Sequence, residues 1–265
     1  MARLALFAVF ACCAAANAAK AGNDEPLTFN ANSVGRPNSG APIELWRPAA
    51  AGAVPAVLIL HGCGGVSASH RSWAARVAGW GWAAAVVDSF RPRRVMSTCN
   101  GGGEPTPNTR AQDAYSAAIF LRTLPDILPN AIGVIGFSHG GSTVLQAVQA
   151  DRVKARPGAQ PFQAAVAYYP GCNPDPPYKV AATDLLILIG KDDDWASAAN
   201  CEKQVNGKRN FEHPPQIKVY PGAVHDFDAG GTLRWANDHM LGGNPEAAAD
   251  SFKMTQAFLA AHFKN

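Results

Sequence analysis

One stretch constrains this 265-residue chain more than any other. Ile132 to Phe137 is a continuous apolar run of strand length. It passes with no linker into Gly136-Phe137-Ser138-His139-Gly140, after which Gly141 to Ala150 reads as a helix. A strand apolar on both sides must be covered on both faces, which is the habit of parallel sheets. A G-x-S-x-G at the junction of such a strand and a helix is a sharp turn that lifts the serine hydroxyl above the sheet edge, with glycines where strand and helix come close.

The rest of the chain supplies a sheet for that strand. Pro42 to Trp46, Val54 to Leu60, Ala83 to Val87, Ala164 to Tyr169, Leu185 to Ile189 and Ile217 to Tyr220 read as further strands. Helical stretches over Ser69 to Ala78, Thr109 to Leu124 and Pro245 to Phe263 alternate with them. Strand and helix in alternation predict an α/β fold, a mostly parallel central sheet with helices on both faces. Composition agrees. Charged residues make up 16% of the chain and hydrophobic ones 48%, against about 25% charged in an average globular protein. Such a chain is neither a disordered segment nor a coiled coil, and a net charge of +3 is too small for a nucleic-acid footprint.

The N-terminus has the layout of an export signal. Arg3 precedes an apolar run from Leu4 to Cys13, and Ala16-Asn17-Ala18 is a small-x-small cleavage site. The run is too short to span a bilayer. Residues 1–18 are therefore expected to be a signal peptide and 19–265 a single catalytic domain, exported to the periplasm or beyond. Cleavage after Ala21, or a lipid anchor on Cys12 or Cys13, are the alternatives. Cys63, Cys99, Cys172 and Cys201 would remain, an even number suited to an oxidising compartment.

A serine hydroxyl needs a base to become a nucleophile. With an elbow of this type the acid and the base follow the serine in the order Asp/Glu, then His. The Leu185–Ile189 strand ends in Gly190-Lys191-Asp192-Asp193-Asp194-Trp195, and the Ile217–Tyr220 strand leads to Pro221-Gly222-Ala223-Val224-His225. Ser138, Asp193 and His225 are thus the candidate triad, with Asp192 and Asp194 as rival acids and His61, His139 and His213 as rival bases. Acyl chemistry also needs two N–H donors for the developing oxyanion. The backbone of His139, following the nucleophile, and that of Cys63, in the loop His61-Gly62-Cys63-Gly64-Gly65, are the candidates.

Taken in order, Leu58-Ile59-Leu60-His61-Gly62, Val87-Asp88-Ser89-Phe90, Gly136 to Gly141, Gly190 to Trp195 and Tyr220 to His225 resemble the dienelactone hydrolase family of α/β-hydrolases. The resemblance runs from about Val54 to the closing helix. It implies the α/β-hydrolase fold, the acid at Asp193 three residues after Gly190, and the base at His225. Two departures separate the chain from the family's namesakes. They carry a cysteine nucleophile where this chain has Ser138, and a glutamate in the loop that here reads His61-Gly62-Cys63. The dienelactone substrate is therefore not carried over with the fold.

Arg91, Arg93 and Arg94 follow the strand ending near Asp88. Arg91 in particular is a candidate reader of a substrate carboxylate, the alternative for the three being Asp113, Glu104 or solvent. Arg110 and Asp113 are expected to pair on one helix face. Phe90, Trp195 and Phe227, with Phe137 and Tyr169, are candidate walls of an apolar pocket. The fold sets Cys63 beside Cys99 and Cys172 beside Cys201 at neighbouring strand ends, so those disulfides are expected. No insertion is long enough for a lid domain, and no metal or organic cofactor is implied. The chain is expected to be a serine hydrolase that cleaves a small-molecule ester through an acyl-enzyme. A prolyl-oligopeptidase-like peptidase and a non-catalytic binding protein of the same fold are the rival readings. No nucleic-acid partner and no membrane span are expected.

Overall fold

The computed structural model describes residues 41–49, 52–101, 103–173, 182–206 and 212–263, with the backbone of two short strands at 22–23 and 27–28. The expected signal peptide, its candidate cleavage sites at Ala18 and Ala21, and Cys12 and Cys13 lie outside the described residues.

The apolar runs pair as one sheet. Its strands are β1 (Gly22–Asn23), β2 (Leu27–Thr28), β3 (Pro42–Arg47), β4 (Val54–Leu60), β5 (Ala83–Val87), β6 (Ile127–Phe137), β7 (Ala165–Tyr168), β8 (Leu185–Gly190) and β9 (Gln216–Tyr220), ordered β1-β3-β5-β4-β6-β7-β8-β9 with β2 also on β3. From β5 to β9 every pairing is parallel, while β3 runs antiparallel to β5. β5, β7 and β8 are buried along their whole length, as continuous apolar strands require.

Helices α1 (Ala68–Gly79), α2 (Pro107–Leu121), α3 (His139–Ala147), α4 (Ala150–Ala155), α5 (Ala198–Asn206) and α6 (Pro245–His262) surround the sheet. Two glycines of β6 identify its faces. A Cβ at Gly133 would meet Leu259 of α6, and one at Gly136 would meet Val144 of α3. Positions an odd number apart point to opposite faces of a strand, so α3 and α6 cover opposite sides. α1 joins α6 through Trp73 and Phe252, with ring centroids 5.1 Å apart. α2 joins α3, where Tyr115 Oη donates to the Ala147 carbonyl (2.8 Å).

Sequence and structure differ in places. β6 begins at Ile127 rather than Ile132, because its first part carries exposed Pro129 and Asn130 and so hides its strand character. The helical stretch after the elbow is two helices, α3 and α4. α5, short and polar on one side, and the hairpin of β10 (Arg234–Ala236) and β11 (His239–Leu241) are elements beyond those the apolar pattern marks. That hairpin turns at Asn237-Asp238, both at positive φ (50° and 61°), which is the chemistry of a type I′ turn. Among the described residues no helix is long and apolar enough to cross a membrane. Two disulfides, Cys63–Cys99 and Cys172–Cys201, close the loops at the strand ends, consistent with an oxidising compartment.

Candidate active site

The sheet reverses its direction of growth between β4 and β6, with β5 on one side and β7 on the other. Open α/β sheets bind ligands at the carboxyl ends of the strands flanking such a reversal. Leu60 and Gly136 are opposite each other in the β4–β6 register, so the loop from His61 and the turn at Ser138 leave the sheet side by side. β8 and β9 are likewise neighbours, with Gly190 opposite Tyr220, and their following loops carry Asp193 and His225.

The turn at Ser138 is strained and tightly enclosed. Ser138 has φ 53° and ψ −116°, a left-handed φ unusual for a residue with a side chain. Its amide donates to the Tyr168 carbonyl (3.0 Å) and its carbonyl accepts from Ser142 N–H (2.8 Å), which fixes the serine between sheet and helix. A Cβ at Gly136 would lie 2.2 Å from the Gly140 carbonyl oxygen, and one at Gly140 would lie 2.1 Å from that of Leu60. Only glycine fits either position.

The three candidate triad side chains meet. Ser138 Oγ is 2.9 Å from His225 Nε2, and His225 Nδ1 is 2.8 Å from Asp193 Oδ2. Asp193 is buried and accepts two further hydrogen bonds at Oδ1, from the amides of Trp195 (2.9 Å) and Ala196 (2.7 Å). These bonds hold the carboxylate in one orientation, leaving Oδ2 for the imidazole. The ring therefore carries its proton on Nδ1 and turns an unprotonated Nε2 to the serine. Asp192 is exposed, and Asp194 accepts from the amide of Met240 on the surface. His213 pairs with Asp184, away from the serine.

His61 and His139, the other rival bases, are committed elsewhere. His61 is fully buried. Its Nδ1–H donates to the Gly62 carbonyl (2.7 Å) and its Nε2 accepts from the Ser89 amide (3.3 Å). Burial, then the nearby Arg110 cation, hold its pKa well below the ordinary histidine value. The same two causes lower His70 and His139 to about 4. His70 Nε2 accepts the Gly62 amide (3.3 Å), so the loop of Cys63 is clasped by two neutral imidazoles. Beyond it, the Cys63 carbonyl accepts from Thr98 N–H (2.9 Å) and its sulfur is bonded to Cys99. The amides of Cys63 and His139 make no internal hydrogen bond among the described residues.

The cleft over Ser138 has two lobes sharing Cys63, Cys99, Ser138, Tyr169, Trp195 and His225. One, of about 370 Å³, extends toward Thr106, Ser142 and Gly171. The other, of about 210 Å³, extends toward Gly62, Phe137 and Leu241. Trp195 and Tyr169 flank His225, with ring centroids 5.1 and 4.6 Å from the imidazole. Phe90 and Phe227 are not walls of these lobes but buried packing beneath them. Phe90 abuts His61 and Phe227 abuts Tyr169.

The arginines also stand apart from the cleft. Arg91 is 68% exposed and lies 3.9 Å from Asp88, and Arg94 is exposed. Arg93 grips Asp113 with two hydrogen bonds of 2.9 Å and donates to the Ser89 carbonyl. The expected Arg110–Asp113 pair is thereby corrected. Arg93 occupies both carboxylate oxygens, and Arg110 instead reaches the His61 carbonyl (2.7 Å) and His139 Nδ1 (2.6 Å). Among the described residues no cluster of three His, Cys, Asp or Glu side chains is arranged to hold a metal ion.

Comparison with known proteins agrees with this architecture. The family model described as "Dienelactone hydrolase family" matches residues 44–263. A Synechocystis sp. protein with the provisional name carboxymethylenebutenolidase is 24% identical over 235 residues, covering 83% of this chain and 91% of that protein. A solved dienelactone hydrolase-like promiscuous phosphotriesterase from metagenomic libraries superposes with a TM-score of 0.67 at 18% identity, over 91% of this chain and 98% of that one. A propionate-bound thermophilic esterase, Est2 of Thermogutta terrifontis, gives 0.65 at 16% identity over 92% and 94%.

Proposed function

Because the chain belongs to the dienelactone hydrolase family, a family of hydrolases with the α/β-hydrolase fold, we propose that it is an exported serine hydrolase that cleaves small, uncharged carboxylic esters. The observation that carries this reading is the unbroken line from Ser138 Oγ through His225 to Asp193, with contacts of 2.9 and 2.8 Å.

In the proposed reaction Ser138 Oγ attacks the ester carbonyl as its proton passes to His225 Nε2. Asp193 holds the ring and stabilises the imidazolium. The amides of Cys63 and His139 bind the oxyanion of the tetrahedral intermediate. The intermediate collapses, the proton goes to the departing alkoxide oxygen, and an acyl group remains on Ser138. Water, activated by the same imidazole, releases the acid and restores the serine. His139, His61 and His70 are too weakly basic to compete for the proton.

The size of the cleft and the absence of a lid domain among the described residues favour small substrates. The positions of Arg91, Arg93, Arg94 and Arg110 favour neutral ones, since no arginine among the described residues lines either lobe. The Thermogutta esterase holds propionate, in keeping with a short acyl group. The test is an ester panel varying acyl length and charge, run on the full chain and on S138A. Short neutral esters are expected to be hydrolysed fastest and S138A to be inactive. A preference for anionic esters would count against the neutral-substrate reading, and equal rates with S138A would count against the serine mechanism.

A further inference from the structure

Arg110 of α2 is buried, 1% exposed, yet pairs with no carboxylate among the described residues. Its nearest acid, Asp113, has both oxygens occupied by Arg93. Asp113 and Asp88 act on the guanidinium only from beyond hydrogen-bond reach, and a buried cation with no carboxylate bonded to it costs stability, so a protein that retains one has a use for its charge or its geometry. The two bonds of the guanidinium point to that use. Nη2 donates to the carbonyl of His61, at the root of the loop that carries the Cys63 amide, and Nη1 donates to Nδ1 of His139, the residue that carries the other amide. The planar fork thus spans the β4 loop and the start of α3, and the Phe90 ring lies 5.2 Å from its centre.

We propose that Arg110 is a positioning residue that holds the Cys63 and His139 amides at a fixed separation and sets its buried positive charge behind them. The inference rests on the acyl-transfer reading above. The ground-state ester is neutral and gains little from the cation. The tetrahedral intermediate carries a full negative charge on the carbonyl oxygen, which the cation stabilises through the low-dielectric interior. The contribution therefore belongs to the transition state and appears in kcat rather than KM. The bond to His139 Nδ1 also leaves that ring's proton on Nε2, so this imidazole is a donor and never a second base.

The test compares wild type, R110M, R110K, H139A and S138A on one neutral ester, each checked for folding by circular dichroism. R110M keeps the length of the side chain without its charge or donors. It is expected to lose about 10- to 100-fold in kcat, with KM changed less than about threefold. R110K, which keeps the charge with a single point of donation, is expected to recover part of that loss. Folded R110M with kcat within about twofold of wild type overturns the inference, as does a loss residing in KM alone. Should R110M fail to fold, H139A decides. It retains the backbone amide but removes one arm of the clamp, and a kcat reduced about fivefold or more at near-constant KM is expected, whereas a wild-type kcat overturns the inference. Wild-type activity equal to that of S138A overturns both this inference and the hydrolase reading. Activity that needs Ser138 but not Arg110 overturns this inference alone.

Discussion

D193N is expected to lower kcat by about 10⁴-fold with little change in fold or KM. The size of the effect follows from the three bonds of Asp193. Oδ1 accepts from the amides of Trp195 and Ala196, and Oδ2 faces His225 Nδ1. An asparagine must keep its single oxygen on the two amides, because turning its NH₂ toward them would leave three buried donors facing one another. Its NH₂ then points at His225 Nδ1 and donates, forcing the imidazole proton onto Nε2. A protonated Nε2 cannot take the proton of Ser138. D192N and D194N, whose side chains lie on the surface, are expected to stay within about threefold of wild type, since surface substitutions away from such bonds have small effects. Steady-state kinetics on the three variants, with thermal melts to confirm folding, checks the assignment. Loss of activity in D192N or D194N but not in D193N would reassign the acid.

The largest expected effect on stability is that of G140A. Its new methyl would sit 2.1 Å from the Leu60 carbonyl oxygen and 2.6 Å from that of His61. Both are main-chain atoms of β4 and the loop that follows, so no side-chain rotation relieves the clash. α3 must back away from the sheet, breaking the packing of Val144 and Leu145 in the core and moving Ser138, which begins the helix. A destabilisation above about 3 kcal/mol is expected, beyond the usual cost of overpacking, with loss of soluble protein or of activity. Equilibrium urea unfolding measures it. A G140A protein with wild-type stability would mean that the turn is looser than these contacts require.

Much of this was legible in the sequence because the signals were local. The apolar strands, the G-x-S-x-G junction and the loops holding Asp193 and His225 each announce themselves within a few residues. The order of Ser138, the acid and His225 along the chain links them. Cys63 beside Cys99 and Cys172 beside Cys201 needed only the neighbour relations of a parallel sheet. The failures were of longer reach. Phe90 and Phe227 follow strand ends, as pocket walls do, but point into the packed layer, and chain position alone does not reveal the direction of a loop side chain. Arg110 and Asp113 stand at helical spacing, yet Arg93, 20 residues from Asp113, takes the carboxylate. No local pattern reports that competition. The start of β6 and the polar helix α5 lacked an apolar period to mark them, whereas Asn237-Asp238 offered a turn signal for the β10–β11 hairpin.

The proposed nucleophile admits the most direct test. Intact protein treated with a fluorophosphonate ester, then digested and mapped by mass spectrometry, is expected to carry a single phosphonyl adduct on Ser138. Labelling should be absent in S138A and should abolish ester hydrolysis in step with occupancy. Ester hydrolysis that persists in fully labelled protein, or in S138A, would contradict the assignment of Ser138 as the group that attacks the substrate.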